Sequence, residues 1–256
     1  MTNTIVLAIA NQKGGVGKTT TAVNLAASLS SLGHKTLLID SDPQGNATSG
    51  VGISKKSLSG TLYDVISGSC SADSAVLKTE FDNLYVLPTT IELAGAEFDL
   101  VEREHHERAM ADAIASLSGD FRFVIIDCPP SLGMLTVNAL SAADGIIIPM
   151  QCEYYALEGL SQLMMTVRRV KKSFNPDLSI AGILVTMYDG RLNLSAQVLA
   201  ELKKYYSDKL FSTVIPRNVR LSEAPSFGTP VLYHDKYSKG SLAYRDVAKE
   251  LLRRVL

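Results

Sequence analysis

The segment Ile5-Val6-Leu7-Ala8-Ile9-Ala10-Asn11-Gln12-Lys13-Gly14-Gly15-Val16-Gly17-Lys18-Thr19-Thr20 passes from an apolar run into a glycine-rich turn. It then enters a stretch with helical spacing at Val23, Ala26, Ala27 and Leu29. Glycines between a strand and a helix let the backbone wrap an anion with its N–H groups pointing inward, and the helix start adds its positive end. Lys18 supplies a mobile charge for the outer phosphates, and the Thr19 hydroxyl suits Mg²⁺. Lys13, Gly14, Gly15, Val16, Gly17, Lys18, Thr19 and Thr20 therefore read as a phosphate cradle, the alternative being a structural glycine turn. Gln12 stands where the usual G-x-x-x-x-G-K-[ST] pattern has its first glycine, and a second lysine, Lys13, follows it. One lysine suffices for one triphosphate. Lys13 thus adds charge to its own site, reaches an anion on a facing subunit, or is a surface lysine at the loop mouth.

Residues 36–40 close a strand, helix, strand unit around this turn. Residues 84–87, 123–126, 145–149, 180–185 and 211–215 are further strand candidates, mostly unalternating as expected of strands covered on both faces. Helical patterns at 97–117, 134–142, 157–174 and 193–206 separate them, while the Ser-Gly-rich pieces 49–60 and 67–74 read as surface loops. The alternation predicts an α/β fold, a doubly wound, mostly parallel sheet flanked by helices, with its ligand at the C-terminal strand ends. Two acidic sites fall at that edge. The strand 123–126 runs into Asp127, suited to holding Mg²⁺ through a water; a helix-capping Asp is the alternative. The second strand ends in Asp40-Ser41-Asp42-Pro43-Gln44. Asp42 is the candidate to orient or deprotonate an attacking water, and Asp40 the candidate metal partner behind it, unless either merely caps the turn.

The chain has 256 residues, 46% apolar and 20% charged, which fits one globular domain over 1–256 and excludes disorder. No apolar run approaches the roughly 18 residues of a membrane span, and Met1-Thr2-Asn3-Thr4 carries no basic segment ahead of a signal core, so a cytoplasmic location is expected. Cys70, Cys128 and Cys152 form neither an even set nor a C-x-x-C pair, against a disulfide framework or zinc site. The formal net charge of −1 conceals a division. Residues 1–159 hold 9 basic and 18 acidic side chains, residues 160–256 hold 16 and 8, so the C-terminal portion is a candidate polyanion surface or a set of solvated helix faces.

With the segments 13–20, 40–46 (DSDPQGN) and 126–131 (IDCPPS) in view, the chain resembles the ParA/Soj chromosome-partitioning ATPases, a branch of the deviant Walker A, MinD-like group. The similarity extends through 151–159 (QCEYYALEG), 182–191 (GILVTMYDGR) and 214–228 (VIPRNVRLSEAPSFG). The resemblance implies an ATP-dependent sandwich homodimer in which Lys13 crosses to the partner's phosphates, with ATP and Mg²⁺ bound and slow hydrolysis to ADP. It implies that Pro216 and Asn218 lie by the adenine and that Pro129, Pro130 and Ser131 form a switch loop sensing the γ-phosphate. It implies nonspecific binding of double-stranded DNA on the nucleoid and stimulation by a ParB/Spo0J-type centromere-binding protein. Arg191, Arg217 and Arg220 lie in or beside similar segments, and with Lys203, Lys236 and Lys239 they are the candidate DNA-contacting residues. No helix-turn-helix extension is expected ahead of the first strand, so operator-specific repression is not expected either.

Other signals read more plainly. The run 102–108 (EREHHER) alternates charge sign as an exposed helix face does, and adjacent histidines on a helix point apart, against metal binding. Arg168, Arg169, Lys171 and Lys172 flank the apolar positions Leu160, Leu163, Met164, Val167 and Val170, as on a helix packed against the sheet with a basic outer side. The amphipathic stretch 241–256 is expected to dock on the core, although MinD-type relatives use such a helix to reach membranes, so no stable membrane association is expected. The rival functions are a membrane-associated positioning ATPase of the MinD kind and a metabolic ATP-dependent ligase of the dethiobiotin synthetase type.

Overall fold

The computed structural model describes residues 4–101, 104–153 and 156–255. The readings above that fall on Met1, Thr2, Asn3, Glu102, Arg103, Tyr154, Tyr155 and Leu256 lie outside the described residues. Among the described residues, the strands are β1 (Ile5–Ile9), β2 (Thr36–Asp40), β3 (Leu77–Lys78), β4 (Leu84–Leu87), β5 (Phe123–Asp127), β6 (Gly145–Gln151) and β7 (Ser179–Thr186). They form one sheet in the order β3-β4-β2-β5-β1-β6-β7, parallel except for β3. The helices of the first half are α1 (Lys18–Ser31), α2 (Asn46–Gly50), α3 (Leu62–Ser67), α4 (Ala72–Ala75), α5 (Ala96–Val101) and α6 (Ala109–Ala115). Those of the second half are α7 (Met134–Ala142), α8 (Ala156–Ser173), α9 (Asn193–Tyr206), α10 (Val219–Glu223), α11 (Val231–His234) and α12 (Lys239–Val255).

Side chains alternate across each strand and so feed two cores. Val6, Ala8, Leu37, Ile39, Val124 and Ile126 face the core under α3 and α5–α9, whereas Leu7, Ile9, Leu38, Phe123 and Ile125 face the one under α1, α2 and α10–α12. Burial on both faces is why these strands read as continuous apolar runs.

Three expectations differ from the structure. Residues 211–215 form no strand: Phe211 N and Ile215 N donate to Ile183 O (2.9 Å) and Val185 O (2.8 Å) of β7, but the amides of Ser212 and Thr213 between them turn to the Glu250 carboxylate at 2.9 and 3.2 Å instead of extending a ladder. The helix expected over 97–117 is broken: His105 takes a left-handed φ of 58°, a 3₁₀ turn covers His106–Arg108, and α6 starts afresh. Short helices α2 and α4 occupy parts of the two pieces expected to be loops, α4 being capped by Ser71 through Ser74 N. Two-residue β3 is too short to carry a periodic signal.

The expected docking of the C-terminal helix is found. α12 buries Tyr244, Val247, Ala248 and Leu251 against the α1 side of the sheet, and no described helix is long and apolar enough to cross a membrane. Arg254 stacks over Phe211 at 4.3 Å and donates to the carbonyls of Leu210 (2.6 Å), Lys209 and Ala181, which also covers part of the outer edge of β7. Glu250 joins this clasp, accepting from Arg254 (2.7 Å) and from the Ser212 hydroxyl (2.7 Å). Burial opposes its ionisation, but the hydrogen bonds from Ser212, Arg254 and Thr213 outweigh it and hold the pKa below the usual carboxylate range. Its stabilising contribution is therefore present at neutral pH and lost as pH falls through that lowered pKa. Glu250→Ala strands the donors of Ser212, Thr213 and Arg254, so chemical denaturation at pH 7 should show a loss of about 2–4 kcal/mol that shrinks at pH 3–4.

Candidate functional site

Parallel pairing in register brings Ile9, Asp127 and Asp40 side by side at the C-terminal edge, Ile9 opposite Asp127 and Asp127 opposite Asp40. From Ile9 the chain enters the glycine loop. Gly15 and Gly17 adopt left-handed φ angles of 75° and 86°. A Cβ on Gly15 would meet nothing within 4 Å, so there the requirement is backbone conformation and not space. The loop's carbonyls are clamped from behind: Gln151 Nε2 donates to Gly15 O (2.7 Å), and Thr186 Oγ1 donates to Val16 O (2.8 Å). Asn11 donates to Pro149 O (2.8 Å) and accepts from Lys13 N (3.0 Å). Among the described residues no acceptor takes the N–H groups of Gly14, Gly15, Val16 or Gly17. Carbonyls tied back and amides free make an anion-binding concavity.

Lys18 opens α1 at 6% exposure, its ammonium donating to Lys13 O at 3.1 Å. Burial lowers its pKa, while Asp127, Cys128 and Asp42 pull the other way. Asp127 is fully buried, and neither carboxylate oxygen has a hydrogen-bond partner. Burial raises its pKa well above the usual range, the neighbouring Asp40 raises it further, and Thr19 and Lys18 relieve it in part. The Thr19 hydroxyl comes near enough to ease the charge without meeting hydrogen-bond geometry. A buried carboxylate with nothing to bond, beside a hydroxyl and an ammonium, has the donor set that Mg²⁺ with phosphate oxygens takes up. Asp40 differs. One oxygen accepts from the amide and hydroxyl of Thr48, both at 2.7 Å, and the other from Asp42 N at 3.3 Å. Burial lifts its pKa to about 6, against the pull of these hydrogen bonds. With these hydrogen bonds Asp40 anchors the loop that carries Asp42. Asp42, 8% exposed, accepts from Gln44 N at 3.0 Å and faces Lys18.

Beside the cradle lies a cavity of about 370 Å³, lined by Gly17, Met187, Pro216, Arg217, Asn218 and Tyr244 among others. Pro216 and Asn218, expected at a base, thus lie on one compartment with the end of the glycine loop. Asn218 also caps α10 through Arg220 N. Thr20 lines the same compartment. The switch-loop candidates follow β5: Pro129 is buried, Pro130 and Ser131 are exposed, and the Thr136 hydroxyl holds Ser131 O at 2.7 Å. Lys13 is half exposed and pairs with Glu153 after β6.

The basic residues are more scattered. Lys203 is exposed on α9, and Arg217, Lys236 and Lys239 are exposed around α10–α12. Arg191 grips Asp189 with two hydrogen bonds (2.9 and 2.6 Å) that push the Asp189 pKa down to about 2. Arg220 spans Glu223 (2.8 Å) and Asp235 (3.3 Å). Two of the expected DNA contacts therefore carry locally neutralised charge. Sequence reasoning missed the clamp residues Asn11, Gln151 and Thr186, although Gln151 and Thr186 end β6 and β7 and Asn11 follows β1, all at the expected ligand edge. It also missed Glu153 and Tyr244, for which no local signal exists.

Residues 4–180 match the AAA domain family. The chain is 54% identical to the sporulation initiation inhibitor protein Soj of Bacillus subtilis, over 96% of this chain and 97% of that protein. It is 51% identical to the chromosome partitioning protein ParA of Myxococcus xanthus, over 97% and 88%. The chain belongs to the ParA/Soj family of chromosome-partitioning ATPases. Among solved structures, this ParA/Soj chain superposes on the cobyrinic acid a,c-diamide synthase of Mycobacterium smegmatis with bound ADP and magnesium. The TM-score is 0.86 at 41% identity, covering 98% of this chain and 95% of that one, and the same protein is also known with an ATP analogue and magnesium.

For a ParA/Soj site of this geometry the linkage between protons and stability has a definite sign. A carboxyl whose pKa is raised by folding lets the folded chain bind protons that the unfolded chain, with carboxyl pKa about 4, does not. The nucleotide-free protein should therefore gain stability as pH falls through the pKa of about 6 of Asp40, and Asp127, raised by burial and by Asp40, adds a gain of the same sign. Asp127→Asn removes a carboxyl whose charge burial opposes, so wherever Asp127 is ionised the variant's nucleotide-free melting temperature should exceed wild type by about 2–4 °C, and the difference should close as pH falls through the raised pKa. A melting temperature no higher than wild type at every pH from 5 to 9 contradicts the uncompensated carboxylate.

Proposed function

We propose that this ATPase is an ATP-switched DNA-partitioning protein, and the observation that carries the reading is the buried, unpartnered Asp127 carboxylate beside Lys18 and the free amides of the glycine loop. ATP is the substrate. The amides of Gly14 to Gly17 and the Lys18 ammonium hold its phosphates, exchanging the present Lys18 to Lys13 carbonyl hydrogen bond for phosphate oxygens. Thr19 and Asp127 would hold Mg²⁺, whose charge offsets that of the β- and γ-phosphates when bound. Pro216 and Asn218 flank the base. Asp42, fixed by Gln44 N and through Asp40 by Thr48, orients the attacking water and accepts its proton. Pro129, Pro130 and Ser131 lie where a change in the γ-phosphate reaches the chain after Asp127.

Lys13 is the element that makes the site a switch. Its ammonium reaches out of its own loop to Glu153 on the surface, a pairing weak enough to be exchanged for the phosphates of a second copy. Two chains facing each other across their nucleotides double the basic surface offered to one duplex. Linked contacts strengthen association by a hundredfold or more where single contacts are weak. Arg217, Lys203 and Lys236 then contribute free charge, while Arg191 and Arg220 contribute after leaving their carboxylates. A ParB-type partner that completes the site resets it by speeding hydrolysis, and the protein distributes over the nucleoid in its ATP state.

The similarity to an enzyme named as a diamide synthase keeps a metabolic ligase as a second reading; it requires a strictly monomeric ATP-bound state. Asp42→Ala should leave the ATP-dependent dimer intact by light scattering yet cut phosphate release by at least about a hundredfold. Lys18→Ala should abolish ATP binding in equilibrium dialysis. Wild type should bind duplex DNA with ATP and not with ADP, the affinity falling steeply across a salt series. A protein that stays monomeric and ignores DNA when saturated with ATP and Mg²⁺ is a ligase and not a partitioning switch.

A further inference from the structure

The reading above gives no role to Tyr244, which is part of the lining of the base compartment. Tyr244 comes from α12, more than 200 residues after the glycine loop, and reaches back across α1. It is 1% exposed, its hydroxyl meets Thr21 Oγ1 at 3.1 Å, and it lines the same 370 Å³ cavity as Gly17, Met187, Pro216 and Asn218. Burial raises the pKa of its phenol, so the hydroxyl stays neutral and available as a hydrogen-bonding group. Thr21 lies directly behind the phosphate loop, with its amide donating to Gly17 O at 2.9 Å. The ring that closes the cavity is thus tied to the turn that holds the phosphates.

A phenylalanine would fill the same apolar space without burying a hydroxyl. The hydroxyl's partner is on α1 at the loop, so its effect is to fix where the ring stands relative to Gly17. The same helix holds the opposite wall. Glu250 binds the amides of Ser212 and Thr213, and Arg254 binds the carbonyls of Lys209 and Leu210, just ahead of Ile215 and Pro216. Wall and floor of the compartment both depend on α12.

We propose that Tyr244 is a positioning residue of the nucleotide site, a buried support at the inner edge of the base compartment whose hydroxyl sets the lining of that compartment against the phosphate loop through Thr21. The proposal rests on the reading that this cavity takes the base of a nucleotide. A buried ring packed behind the lining, with its hydroxyl tethered to α1, keeps the compartment's shape fixed before the ligand arrives. Base-bearing ligands gain from it; phosphate chains alone do not.

The test compares ATP, ADP and inorganic tripolyphosphate, each with Mg²⁺, by calorimetric titration of the full chain in wild type, Tyr244→Phe and Tyr244→Leu. Thermal melts accompany each variant, and the conservative phenylalanine keeps the test available should the leucine variant fail to fold. Tyr244→Leu should weaken ATP and ADP about tenfold and Tyr244→Phe about threefold, with tripolyphosphate changed by less than about twofold in both. Equal losses for ATP and tripolyphosphate mean that the residue only supports the loop, and this overturns the proposal. No loss of discrimination in either variant, while wild type still prefers ATP to tripolyphosphate, overturns it as well and leaves the base compartment standing. A wild type that binds tripolyphosphate as tightly as ATP removes the base compartment, and the proposal with it.

Discussion

Two carboxylates buried side by side at the edge of a parallel sheet set the terms for this molecule. The register that places Asp40 opposite Asp127 is imposed by the apolar runs of β1, β2 and β5, which pack on both faces and cannot slip without turning their side chains over. Each charge disfavours the other. Asp40 is compensated by Thr48 and the Asp42 amide, and Asp127 is not. That asymmetry leaves one carboxylate spent on architecture and one available to a cation, and the nearby ammonium of Lys18 is the charge that makes the arrangement tolerable without ligand.

The glycine loop is shaped as much by what holds its back as by its glycines. Gln151 and Thr186, at the ends of β6 and β7, take its carbonyls, and Asn11 ties its start to Pro149. Amides so oriented need little rearrangement to accept an anion, which is where the affinity of such a loop originates. The second lysine is treated differently from the first. Lys18 is drawn inside, whereas Lys13 stands at the rim against Glu153, a surface pairing that costs little to break. One loop therefore carries one lysine held inside and another at the rim, free to exchange its partner.

Charge in the C-terminal portion is less available than its count suggests. The excess of basic over acidic side chains is real, yet Arg191 and Arg220 spend their guanidiniums on Asp189, Glu223 and Asp235. A composition counts charges without knowing which neighbours neutralise them. By contrast, α12 was readable in outline: Val247 and Leu251 repeat at helical spacing and dock as a helix of that pattern should, while Tyr244, which that pattern did not single out, is buried with them.

The strand, loop, helix order from Ile5 to Ser31, the strands ending at Asp40 and Asp127, and the assignment to a parallel sheet were legible in the chain itself. They rest on local periodicity and on residue types whose backbone or charge has few other uses. Where the strand over 211–215 and the helix over 97–117 failed, the cause was nonlocal or conformational: a carboxylate from α12 captured two amides, and His105 turned left-handed. Only the folded chain decided that Asp40 is satisfied while Asp127 is not, that Gln151 and Thr186 brace the glycine loop, and that Tyr244 stands beneath its end. The brace and the Tyr244 contact join residues more than 100 positions apart, Asp40 is met by Thr48 only eight residues on, and in each case position in space decides, which a linear pattern of residues does not contain.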